Sequence, residues 1–184
     1  MKRIAFLLTI GCLAGPAVAS AKLPHPSATL IVPVRSIGGV GIGMSKAAVF
    51  RHWGHTSCFG GGEVCYWYGP GSQLHAERAA VGFHNSKVTS VSINAATTAS
   101  QKFVPGQLSS WKTDKGIHLG SFASSVGTAY RHTGGLRKND SEGVRGWDII
   151  HGDDTLRFGG FDIGPSKGRL RYIQLYCTPL PGQC

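Results

Sequence analysis

The chain has 184 residues, 41% of them hydrophobic and 15% charged, which is too apolar for a disordered tail and too short for a multidomain enzyme. Nineteen Lys plus Arg against nine Asp plus Glu give a net charge of +10, or +8 with Lys2 and Arg3 set aside. The basic residues are scattered, with only Arg137-Lys138 among the main candidates adjacent, which argues against a dedicated nucleic-acid groove; 27 glycines and two methionines argue against an all-helical bundle.

At the N-terminus, Met1-Lys2-Arg3 is a positive region, residues 4–13 are apolar, and Ala19-Ser20-Ala21 is a small-residue cleavage site before Lys22. Residues 1–21 therefore read as a secretory signal. Gly11, Gly15 and Pro16 interrupt the apolar run, which is shorter than the roughly 20 residues a spanning helix needs. A lipoprotein anchored through Cys12 is the rival reading, but Thr9 stands where a leucine is usual, so soluble secretion or periplasmic release is favoured.

Ser45 predicts a helix start, Val49 and Trp53 its apolar face, and Gly54 its end. Strand patterns follow at residues 64–68, 79–83 and 87–93, separated by the turns Gly69-Pro70-Gly71-Ser72 and His84-Asn85-Ser86. Residues 95–112, rich in small polar residues and containing Pro105-Gly106, read as a linker. A second helix is expected after Ser121, with Val126 and Tyr130 inward and Gly134-Gly135 as its stop. Strands are expected at 146–150, 155–158 and 169–176.

An offset of 77 positions places Gly39-Val40-Gly41-Ile42-Gly43 on Gly116-Ile117-His118-Leu119-Gly120, Val49 on Val126, Trp53 on Tyr130 and His55 on His132. The chain thus divides into a signal (1–21), a first α/β repeat (22–94), a linker (95–112) and a second repeat (113–184). The fold class expected is α+β, with two tandem helix-plus-antiparallel-meander repeats.

With Cys12 removed, Cys58, Cys65, Cys177 and Cys184 remain, an even set that suits an oxidising compartment. Three pairings are possible; the local ones, Cys58 with Cys65 and Cys177 with Cys184, close short bendable loops and are preferred. The six-residue intervals are too long for the usual structural zinc spacing.

The series Gly41-Ile42-Gly43-Met44-Ser45, Val49, Val81, Phe83, Lys87, Val88, Val91 and Ile93 resembles the module shared by the secreted β-lactamase-inhibitory proteins and the SmpA/OmlA outer-membrane lipoproteins. Two modules after a signal are more similar to the inhibitory proteins. The resemblance implies one sheet with helices packed on one face and an open, aromatic-bearing face for binding a protein. Those inhibitors carry an acid on a hairpin loop, whereas the Gly69 to Ser72 turn has none.

His52 and His55 are near a helix end, but no third ligand is close in sequence, and His151-Gly152-Asp153-Asp154 reads as a hairpin turn. No nucleophile motif or phosphate loop occurs, so neither catalytic residues nor a cofactor or metal is expected. Strand alternation sets Tyr172 and Tyr176 opposite Ile173 and Leu175. With Trp67, Trp147, Arg169 and Arg171 they form the expected binding set. The function expected is a secreted, non-catalytic binding protein, an inhibitor of an extracellular or envelope protein among the forms it could take. The alternatives are an envelope factor for anionic polymer or lipid and, third, a metal-dependent hydrolase.

Overall fold

Alternating apolar residues and closely spaced turns organise the chain around one large antiparallel sheet. The computed structural model describes residues 22–25, 29–140, 144–161, 164 and 166–178; the expected signal at 1–21 and Cys184, the expected partner of Cys177, lie outside them. In chain order the strands are β1 (Leu30–Val32), β2 (Ser36–Ile37), β3 (Cys58–Phe59), β4 (Val64–Tyr68), β5 (Arg78–His84), β6 (Lys87–Asn94), β7 (Ala96–Thr97), β8 (Phe103–Val104), β9 (Lys112–Thr113), β10 (Leu136–Asn139), β11 (Val144–His151), β12 (Asp154–Phe161) and β13 (Leu170–Cys177). Helix α1 (Lys46–Trp53) precedes β3, and α2 (Ala123–Ala129) precedes β10. The large sheet runs β10-β11-β12-β13-β6-β5-β4-β3, all its pairings antiparallel, and two smaller sheets are β2-β1-β9 and β7-β8.

This architecture corrects the expected tandem helix-plus-meander fold. The described chain is mostly β, and its two α-helices have only eight and seven residues, each burying one or two side chains. Helices this short contribute little on their own, and strand ladders carry the fold. Residues 95–112, read as a linker, hold β7, β8, a 3₁₀ turn at Gln107–Ser110 and the first residue of β9, with Leu108 and Trp111 fully enclosed. The early segment read without strands supplies β1 and β2, and β1 pairs parallel with β9.

Local signals place several ends well. The Ser45 hydroxyl accepts the Ala48 N–H at 3.3 Å, and α1 ends at Gly54 with φ 82°. Asn85 and Ser86 form a two-residue turn between β5 and β6, both at positive φ (50° and 61°), which is the type I′ requirement. The second N-cap is corrected: Phe122, without a side-chain cap, precedes α2, and the Ser121 hydroxyl instead accepts the His118 N–H. That helix ends at Tyr130 rather than at Gly134.

The core lies on the side of the large sheet that faces both helices. Trp67, Ala79, Ile93, Ile173, Phe158 and Trp147 are successive cross-strand partners, and the first five are at most 1% exposed. Trp53 of α1 stands edge-on to Trp67 at 5.3 Å and to Trp111 at 5.8 Å, and its indole N–H donates to Gly38 O at 2.9 Å. Tyr130, after α2, stacks on Phe158 at 6.1 Å. Cys58 and Cys65 are cross-strand partners in β3 and β4 and are disulfide-bonded; Cys177 is disulfide-bonded as well.

Candidate open-face binding site

Because side chains alternate along a strand, the positions between the core rows form a second set of rows on the opposite face. One row runs Tyr68, Arg78, Asn94, Tyr172 across β4, β5, β6 and β13 and continues over Gly159 and Gly146. A second runs Tyr66, Ala80, Ser92, Gln174, Arg157 and Asp148. From β4 to β12 these residues are only partly buried except at Gly159, in contrast to the enclosed rows beneath the helices.

Two clusters of rings and guanidinium groups stand on this face. Tyr66 and Tyr68 stack at 5.8 Å, with the Arg78 guanidinium 5.5 Å above Tyr66. Across the sheet, Arg157 lies 5.2 Å over Tyr176 and forms a two-pronged pair with Asp148, Nε to Oδ1 and Nη2 to Oδ2, both at 3.0 Å. Asn139 adds a bond to Asp148 at 3.2 Å. Hydrogen bonding to Asp148 pushes the Arg157 pKa further up, so this cation is committed within the face. Burial raises the pKa values of Tyr172 and Tyr176, opposed by the nearby Arg157 charge, and both phenols stay neutral donors at physiological pH.

The expected binding set divides between the two faces of the sheet. Tyr172 and Tyr176 occupy the open face, as alternation predicts. Arg171 is exposed beside Tyr172, at the point where the ladder with β12 slips between Gly159 and Gly160, and its carbonyl accepts the Ala95 N–H at 2.8 Å. Trp67 is withdrawn from the set: it is buried beneath α1, and its indole donates to Gly54 O at 3.2 Å. Trp147 also belongs to the helix side, where α2 approaches so closely that a Cβ on Gly127 would lie 2.5 Å from its ring. Arg169 turns away, donating to Gly120 O at 2.8 Å with its guanidinium 4.4 Å from the Phe122 ring centroid.

Sequence reasoning missed Arg78, Asn94 and Arg157 as members of the site. Alternation alone pairs Tyr66 with Tyr68, but the Arg78–Asn94 register depends on a bulge between Gly82 and Phe83, for which only Gly82 gives a sequence signal. Elsewhere, His55 lies against Phe50 at 4.7 Å, and no three His, Cys, Asp or Glu side chains gather around a common point among the described residues. No helix among them is long and apolar enough to cross a membrane.

No protein-family model and no curated protein matches the sequence. Among solved structures, the chain is similar to a DUF4309 family protein (YjgB) from Bacillus subtilis, at 11% identity and a TM-score of 0.43, over 77% of this chain and 84% of that one. It is also similar to an extracellular protein containing a SCP domain from Bacillus anthracis, at 12% identity and a TM-score of 0.37, over 74% of this chain; there it spans only 44% of the longer protein.

Proposed function

We propose that this is a secreted or periplasmic, non-catalytic binding protein that holds another extracellular or envelope protein on the open face of its large sheet. The observation that carries the reading is the composition of that face. Tyrosines and arginines, the residue types that dominate binding hot spots, stand on the partly exposed rows while the opposite face is sealed by helices. Disulfides fit an oxidising compartment. The Gly41 to Ser45 motif and the Val81 to Ile93 pattern support kinship with the β-lactamase-inhibitory proteins, but the Gly69 to Ser72 turn lacks their acidic probe, so a β-lactamase is not the proposed target.

The test is capture from secreted and envelope fractions by immobilised wild-type protein, Tyr172→Ala and Tyr176→Ala. One protein retained by wild type at high salt, and lost with variants that keep the wild-type thermal midpoint, is the expected result. Retention indifferent to both tyrosines, or variants that unfold, would overturn it. Recovery of an anionic polymer that salt releases would favour the envelope-factor reading instead, to which the basic net charge lends weight.

A further inference from the structure

Arg78 is placed unlike the other basic residues of the open face. It stands between Tyr68 on β4 and Asn94 on β6, with Tyr172 one strand further, so this row spans three strand intervals, about 14 Å. Its Nε is buried and has no hydrogen-bond partner, and none of the ion pairs among the described residues involves it. Leaving a buried donor unsatisfied is costly, so a ligand that supplied an acceptor here would recover that cost on binding. The preceding residue offers no help: Glu77 turns to the other side and accepts the Leu108 N–H at 3.0 Å.

The surroundings define the missing acceptor. In the two rows described, from β4 through β6 to β13, every residue is a tyrosine, a small residue or an uncharged amide apart from Arg78 itself; Arg171 lies beside the Tyr172 end, and His84 and Lys87 close the far end of β5 and β6. The one acid of the face, Asp148, sits on β11 and is already held by Arg157. A cleft of about 230 Å³ at the Tyr68 end is lined also by Lys22, which adds a second positive charge there. A guanidinium anchored over a tyrosine ring presents a planar fork matched to a carboxylate.

We infer that the β4–β5–β6–β13 part of the open face docks an acidic loop of the partner protein, with a loop carboxylate seated on Arg78 between Tyr68 and Tyr172. This rests on the open-face reading and adds the chemistry of the partner. Arg78 among the aromatic and amide side chains of its row suits one or two carboxylates on a folded loop. A phosphate polymer would call for a series of cations along its track, and Ser92, Asn94 and Gln174 supply none.

A library of random dodecapeptides displayed on phage is selected against the immobilised full-length mature protein, and the best binders are measured in solution. Asp- or Glu-bearing peptides should dominate, and Arg78→Met should weaken them at least about thirtyfold, the scale of a hot-spot arginine. Because Arg78 Nε makes no hydrogen bond in the free protein and only the ring contact with Tyr66 is lost, the thermal midpoint of this variant should fall only slightly, which separates lost binding from lost folding. Binders without acids, or acidic binders indifferent to Arg78→Met, would overturn the inference; if they still fail on Tyr172→Ala, the open-face reading survives alone. No enrichment would also overturn it, and the tyrosine-dependent capture experiment would then decide the broader reading separately. Displacement of the acidic peptide from Arg78 by polyglycerol phosphate at matched charge concentration would replace the protein loop with an anionic polymer, overturning it as well.

Discussion

The Tyr172 ring lies on Gly159 of the adjacent strand, so close that a Cβ built there would sit 2.2 Å from the ring Cζ. The absence of a side chain on β12 is therefore what lets this tyrosine lie down against the sheet. Gly146, next in the same row, is different, because its added Cβ would meet the Phe158 carbonyl oxygen at 1.9 Å, a backbone atom with no room to yield.

That contrast gives the first prediction. Gly159→Ala should tilt Tyr172 off the face, with an overpacking cost of about 1–3 kcal/mol and a loss of partner binding resembling that of Tyr172→Ala. Gly146→Ala should cost more stability, because it forces β11 and β12 apart. Urea unfolding of both variants beside a binding measurement checks the order. Equal stability losses, or full binding by Gly159→Ala, would contradict the account.

Trp67 supplies the second. Its ring is enclosed by Trp53 at 5.3 Å and Phe50 at 6.4 Å, and it carries a hydrogen bond to Gly54 O. Trp67→Ala should cost about 3–5 kcal/mol, as truncation of a buried aromatic does. Trp67→Phe should recover part of that cost. Partner affinity per folded molecule should be unchanged in both, since the residue has no surface on the open face. A variant that stays fully stable yet binds poorly would return Trp67 to the binding set.

The limits of the sequence reading have local physical causes. Alternation along β13 put Tyr172 and Tyr176 opposite Ile173 and Leu175, and that rule needs no tertiary information. The hairpin turn at Gly152-Asp153 pairs His151 with Asp154 and carries a regular register back to Trp147 opposite Phe158, so the inward side of Trp147 was within reach once Phe158 is taken as core. Trp67 was not legible in this way. Nine residues separate β4 from β5, and no short turn fixes which face of β4 meets the helices. The bulges at Gly82 and Gly159 shift the register by one residue, a slip that moves Arg78 opposite Asn94 and sets Leu170 opposite Gly160. Short strands such as β1, β2 and β9 escaped because two or three residues show no period, and only packing around Trp111 and Ile31 fixes them.

The β5–β6 turn yields a third prediction. Ser86 holds φ at 61°, where an L side chain other than Asn or Asp is disfavoured, while Asn85 ahead of it tolerates the same region well. Ser86→Gly should therefore stabilise the protein by about 0.5–1 kcal/mol, the relief at the second turn position exceeding the added freedom of the unfolded chain. Asn85→Ala should destabilise by about 1 kcal/mol. Thermal midpoints moving in opposite directions confirm the turn geometry, and a fall with Ser86→Gly refutes it.

The last prediction concerns Glu77, which is only 5% exposed and fastens the Gln107–Ser110 turn to the start of β5. Gly106 comes so near that a Cβ on it would lie 2.3 Å from the carboxyl carbon, so the acid is walled in on that side. Burial raises its pKa above the ordinary 4.5, and hydrogen bonds from Gln107, Leu108 and Ser109 pull down without cancelling the rise. A folded pKa above the unfolded one means that, between the two, the folded state holds more protons, so this group's contribution to stability is largest below pH 4.5 and is lost as the pH rises through the folded value. Glu77→Gln keeps the shape and an acceptor oxygen but never bears the buried charge. The variant should gain in thermal midpoint relative to wild type as the pH is raised from below 4.5 to neutrality. Asp154, whose pKa is raised first by burial and then by Asp153, acts in the same direction in both proteins and cancels from the difference. A difference between variant and wild type that is flat with pH, or that runs the other way, would show that the backbone N–H groups of the turn stabilise the Glu77 carboxylate more than burial opposes it.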